Sequence, residues 1–353
     1  MKIKLTKQEK NWILYDVGNS AFTLLAATIL PIYFNYIAGK QGLSDVQYLA
    51  YWGYAVSIAT LLTALAGPVF GTVADTKGYK KPVFTIALGI GAIASVALGF
   101  AKYWLAFLVV FVIAKVGYSV TLVFYDSMLV DVTLEDRMDE VSSQGYAWGY
   151  IGSCVPFVIC LLVVLNAGKI GITMEIAMMV SFVIITVWWV IMTLPLLKIY
   201  HQKYYVEKKQ HAFAESFKRI GITLKNVKKE KKVFLFLLAF FFYIDGVYTI
   251  IDMATAYGSA LGLSSTGLLL ALLLTQIVAF PFAIIFGRLA KKYSAEKLIT
   301  VCIVAYLGVA IFAIFLHYQW QFWVLAVWVG MFQGGVQALS RSYFTKIIPA
   351  NQS

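Results

Sequence analysis

The sequence predicts an all-α membrane protein built from two helical bundles, and three observations predict it. Of its 353 residues 61% are hydrophobic and only 13% charged, too few charges to cover a water-soluble domain. Ten apolar windows recur along the chain, each about 18 to 27 residues long and so long enough to cross a bilayer core. The charges embedded in those windows fall only in the first, fourth, seventh and tenth. An ionised side chain in hydrocarbon costs several kcal/mol on insertion scales, so it turns toward a wet cavity or a partner inside the bundle. Four helices that share this property share one polar interior, as the helices of a solute transporter do.

The windows run roughly 12–37, 48–73, 83–100, 104–130, 143–165 and 176–197, then 233–257, 266–286, 298–316 and 322–345. Backbone groups in lipid must bond to one another, so segments of this length are helices. The net charge of +12 has the sign of a nucleic-acid binder, but its distribution points elsewhere. With the N-terminus inside, 25 of the 29 Lys and Arg lie on the inner side, Lys40, Lys102 and Lys169 lie outside, and Lys115 sits within a span. That bias orients the chain and attracts anionic lipid. No nucleic acid is implied. Met1 to Lys10 leads into a long stretch bearing Asp16 and Asn19, and reads as an uncleaved first helix. Cys154, Cys160 and Cys302 lie in spans at no metal-ligand spacing and read as small core residues.

Residues 198–232 are the one long polar break, with eleven Lys and Arg against Glu207, Glu215 and Glu230. They separate a six-helix bundle (1–197) from a four-helix one (233–353). Phe213, Phe217, Ile220, Leu224 and Val227 recur at helical steps, which fits a basic amphipathic helix on the membrane surface; a solvated linker is the alternative. FGTVA at 70–74 returns as FGRLA at 286–290, and Asp126-Ser127 returns as Arg341-Ser342 at nearly the same offset. Two bundles related by pseudosymmetry, with a site between them, follow from such repeats.

Candidate transport residues come from helical spacing. Asp16, Asn19, Ser20 and Thr23 share a face of the first span; Asp245, Tyr248, Thr249 and Asp252 share one of the seventh. Gln333, Gln337, Ser340 and Arg341 do so in the tenth, and Lys115, Tyr118, Ser119 and Asp126 roughly so in the fourth. Counted from the window edges, Lys115 and Asp245 both lie about 16–18 Å deep. They suit a pair between the halves, or a zwitterion with its carboxylate on Lys115 and its ammonium on Asp245. A proton on Asp245 and a static buried pair are the other readings. Asp16, Asp126 and Asp252 lie nearer span ends, where interfacial placement competes with function, and Arg341 opposite Asp126 suits an inner gate. The acidic loop Asp131, Glu135, Asp136, Asp139 and Glu140 either pairs with the basic central segment or is a solvated loop in which Asp139 or Ser142 caps the fifth helix. The second of these is the simpler reading.

The turn GTVADTKGYKK (71–81) resembles the signature loop of the major facilitator superfamily through Gly71, Asp75, Gly78 and Lys80; Thr76 and Tyr79 stand where that pattern prefers basic residues. YDVGNSAF (15–22), VSSQGYAWGYIG (141–152) and GGVQALSRSYF (334–344) are similar to the vacuole effluxer family, fungal vacuolar amino-acid effluxers and bacterial relatives. The resemblance covers the whole chain and implies a twelve-helix facilitator fold of which ten helices are present, in a bacterial cell membrane. It implies export of a small polar solute, amino acids among the candidates; protons are a candidate coupling ion, a hypothesis separate from the resemblance. It also implies that Asp75 braces helix ends and governs opening, with Lys80 and Lys81 near lipid phosphates; an ordinary capped turn is the alternative. The absent pair of helices leaves a truncated, non-transporting scaffold as a second reading. No phosphate-binding loop, HExxH or nucleophile elbow occurs, so neither an ATP-driven pump nor an enzyme is expected, and no cofactor is implied. Oligomeric state is left open.

Overall fold

The computed structural model describes residues 4–206 and 230–348. Ten helices in it are long and apolar enough to cross a membrane: Lys7–Lys40, Asp45–Ala74, Lys80–Phe100, Trp104–Ser127, Glu135–Leu165, Met174–Ile199, Lys231–Ala260, Ser265–Leu289, Ala295–Ala313 and Gln319–Ile347. They are the first to tenth spans below. The expected amphipathic helix falls mostly on 207–229, outside the described residues. Short turns reverse the chain between spans, so the lysine-rich loops gather at one end, here the basic end.

Buried apolar side chains form two large clusters. One is built almost wholly from the six spans before residue 207, around Trp12, Phe22, Phe84, Phe107 and Trp189. The other comes from the four spans after residue 230, around Cys302, Phe322 and Val336. A small third cluster, Ala147, Tyr150, Ala279 and Ala283, joins the fifth span to the eighth. Small residues there let backbones approach, which is how helices gain packing energy in lipid.

The first span is not one continuous helix. It breaks at Thr28, whose backbone angles are φ −124° and ψ −78°, and restarts at Ile29. Pro31 explains the break: it has no N–H for the carbonyl four residues back, and the restart places it in a first turn, where no donor is needed. The carbonyl so orphaned is that of Ala27. Thr255 of the seventh span donates its hydroxyl to it at 2.5 Å, from a position with no solvent exposure. A proline in one half thus creates the acceptor that docks a helix of the other. Thr255→Val will leave that carbonyl buried and unpaired, a loss of about 1–3 kcal/mol. Thermal unfolding in detergent will show a lower midpoint than for Thr60→Val, whose hydroxyl bonds only within its own exposed helix face.

Candidate functional site

Near the basic end the site is organised by Arg341, which is 8% exposed. One terminal nitrogen lies 3.2 Å from Asp16 Oδ2 and the other 3.2 Å from Asp126 Oδ1. Nε donates to Ser142 Oγ and a terminal nitrogen to the Ser142 carbonyl, both at 2.9 Å. The guanidinium carbon is 4.6 Å from the ring centre of Trp12, 5.3 Å from that of Tyr125 and 4.2 Å from that of Tyr146. A planar, weakly hydrated guanidinium suits such a box, where rings and acceptors replace its water. The first, fourth and fifth spans supply the box and the tenth supplies the cation.

Glycines make the approach possible. A Cβ on Gly145 would collide with Asp16 Oδ2 and lie 3.1 Å from the Arg341 nitrogen, so the fifth span can pass this close only as glycine. From the box a polar thread climbs the first and fourth spans. Asn19 donates to Asp16 at 3.2 Å and accepts from Tyr118 at 3.5 Å, and the Tyr118 and Thr23 hydroxyls are 2.5 Å apart. Gln337 accepts from Tyr150 at 2.7 Å, again across the halves; Gln333 is buried one turn away.

Tyr118 leads to Lys115, one turn along the fourth span. There the structure corrects the expected pairing. Lys115 Nζ lies 2.8 and 3.0 Å from the two oxygens of Asp252, whereas Asp245 is exposed and has no hydrogen-bond or ion-pair partner among the described residues. Depth was misjudged because the seventh helix, at 30 residues, is longer than a bilayer core requires. Counted from the end away from the lysines, Lys115 lies eleven residues in (115 minus 104) and Asp252 eight (260 minus 252). A lysine stem spans the difference. Around the pair, Trp52 donates to the Asp252 carbonyl at 3.3 Å and Asn35 to Ser259 at 2.9 Å.

The signature turn follows the second span. The Gly71 carbonyl accepts from Asp75 N–H at 2.9 Å, and Gly78 has a φ of +78°, a conformation that favours glycine. Lys80 is not at the lipid surface as expected. It is 1% exposed, with Nζ 3.7 Å from Asp131 and 3.5 Å from the Ser127 carbonyl. Asp131 also accepts from the Tyr200 hydroxyl and from the backbone of Lys203 and Tyr204. Burial, then the Asp131 carboxylate beside it, push the Tyr200 phenol upward, so it stays a donor. Residues 202–206 strap the turn: Val206 N–H donates to the Asp75 carbonyl at 2.8 Å, and the Gln202 side chain accepts from Gly78 N–H at 3.1 Å.

The acidic loop is likewise not merely solvated. Asp139 pairs with Lys346 at 2.5 Å and Glu140 pairs with Lys291, tying the start of the fifth span to the tenth span and to the turn after the eighth. Neither Asp139 nor Ser142 caps the helix: the α-helical part of this span runs Met138–Leu165, and Arg137 before it makes no side-chain cap. Arg137 instead reaches Glu9, 1% exposed, at 2.7 Å, and Thr133 adds a bond to Glu9 at 2.7 Å. Sequence reasoning missed the aromatic box, though Trp12 stands four residues before Asp16, on the same helix face.

The sequence model of the family described as "Vacuole effluxer Atg22 like" matches residues 6–353. The chain is 44% identical over 354 residues to an uncharacterized MFS-type transporter, YxiO, of Bacillus subtilis (strain 168), covering 99% of this chain and 83% of that one. It is 24% identical over 433 residues to Autophagy-related protein 22 of Vanderwaltozyma polyspora, covering 99% and 81%. Among solved structures it superposes on a D-xylose-proton symporter with a TM-score of 0.60 at 12% identity, covering 98% and 87%. It superposes on the human organic anion transporter MFSD10 with a TM-score of 0.57 at 13% identity, covering 98% and 91%. The fold is that of the major facilitator superfamily, a class of transporters and not of enzymes. Within it, the chain belongs to the Atg22-like vacuole effluxer family.

Removing one partner of a buried ion pair costs about 3–5 kcal/mol, because the other charge is stranded. Arg341→Ala strands Asp16, which is 3% exposed, and will lower the unfolding midpoint in detergent far more than Asp126→Asn, since the Asp126 side chain is 43% exposed. Equal losses would contradict the central place given to Arg341.

Proposed function

We propose that this protein is a secondary transporter that exports a small polar solute by alternating access, with protons as the coupling ion and amino acids the solute class that the family suggests. The observation that carries the reading is the pair of charged contacts between the halves at two different depths. Toward the basic end, Arg341 with Asp16 and Asp126, Lys346 with Asp139 and Lys291 with Glu140 tie the halves. Toward the other end, Lys115 with Asp252 and Thr255 with Ala27 do so. Opening either end breaks one set while the other persists, which is the requirement for a site that faces one side at a time.

In this reading the six spans before residue 207 and the four after 230 rock as units. The Lys80–Asp131 and Glu9–Arg137 clusters each lie within the first unit and travel with it. Asp75, Gly71 and Gly78 belong to a turn fixed to that unit by the 202–206 strap. Lysine bias sets the basic end, and with it the N-terminus, in the cytoplasm, where it meets anionic lipid.

Lys115→Asp in proteoliposomes will abolish flux, and adding Asp252→Lys will restore part of it, since the swap rebuilds the contact with reversed charges. Flux unchanged in Lys115→Asp alone would remove the contact from the transport cycle.

A further inference from the structure

The ionised side chains inside the apolar windows can be matched one by one. Lys115 is held by both oxygens of Asp252, and Arg341 by Asp16, Asp126 and Ser142. Both interior cations are therefore already engaged. Among the described charges inside the apolar windows 12–37, 104–130, 233–257 and 322–345, Asp245 is the one with no ion-pair partner.

Its position on the helix turns it toward the path between the halves. Seven residues are close to two full turns, so Asp245 and Asp252 share a face of the seventh span, and Asp252 meets Lys115 of the first unit. Tyr248 lies between them and sits beside Gln337 of the tenth span. The other flank faces away from that path: Val247 is buried in the second cluster, and Tyr243 shares a 2.6 Å hydrogen bond with Ser340.

We propose that Asp245 determines specificity by binding a protonated amine of the transported solute, so that recognition runs through the solute's ammonium group, and a carboxylate on the same solute is not what the site holds. This rests on the transport reading above and deepens it. A solute carboxylate would have to displace Asp252 from Lys115, or one of the acceptors around Arg341, stranding a carboxylate in the interior. A solute ammonium meets a charge that has no partner. When the contact between Lys115 and Asp252 opens, Lys115 leaves with its own half. The same face of the seventh span then carries two uncompensated acids, about 10 Å apart along the axis. Opening that end strengthens the preference for a cation.

The test uses the full chain in detergent, titrated calorimetrically with cadaverine, a diamine without a carboxylate, and with succinate. The parent will bind cadaverine and not succinate, Asp245→Asn will weaken cadaverine binding by about tenfold or more, and Asp245→Glu will retain it. Thermal unfolding checks that each variant is folded. Absence of cadaverine binding in the parent, succinate binding of equal strength, or an unchanged constant in folded Asp245→Asn would each overturn the assignment. Flux of cadaverine in proteoliposomes separates the two claims. Binding that depends on Asp245 without flux supports this assignment while contradicting transport. Flux that is indifferent to Asp245→Asn does the reverse.

Discussion

A guanidinium withdrawn from water needs acceptors and opposing charge in place of its hydration shell, and the packing of this protein near the basic end follows from supplying them to Arg341. Two carboxylates, a serine that bonds through both its hydroxyl and its carbonyl, and three aromatic rings surround it. Those groups come from three spans of the first unit, while the arginine comes from the second. The contact that solvates the cation is therefore also a contact between halves. Gly145 belongs to the same requirement, because a side chain there would push the fifth span away from Asp16.

The pseudosymmetry gives this contact a geometric basis. Asp126 and Arg341 occupy equivalent places in the two repeats, and residues at equivalent places near a two-fold axis face each other. Opposite charges at such a position attract where like charges would repel. The other end uses different chemistry. There a proline deletes a donor, the Ala27 carbonyl is left open, and Thr255 fills it beside the Lys115–Asp252 pair.

Contacts between units differ among themselves in exposure: Arg341 with Asp16 and Lys115 with Asp252 are largely buried, and Lys291 with Glu140 is not. Lys80 with Asp131 and Glu9 with Arg137 are shielded from solvent and tie loop to helix end inside the first unit. Lys291 with Glu140 crosses between units and has a half-exposed lysine that water can reach. Exposed pairs contribute little to stability, so the Lys291–Glu140 contact adds less to holding the units together than the buried ones do.

The ten spans were legible because lipid enforces length and apolarity locally, and no distant contact can substitute for a missing backbone donor. The facing of Asp126 and Arg341 was legible too, because the repeat records it. Partners along a helix were not. Spacing puts Asp245 and Asp252 on one face but leaves open which of them meets Lys115, since that depends on how far the seventh helix extends beyond the bilayer core. Lys80 looked like a surface lysine because nothing near it in sequence announces Asp131, 51 residues away (131 minus 80), or the strap beyond residue 200. Sequence by itself thus determined the helices, their repeat and the polar faces, all set by the solvent around each segment. Only the tertiary structure decided which charge neutralises which, because that depends on the relative slide and tilt of packed helices, to which hydropathy is indifferent.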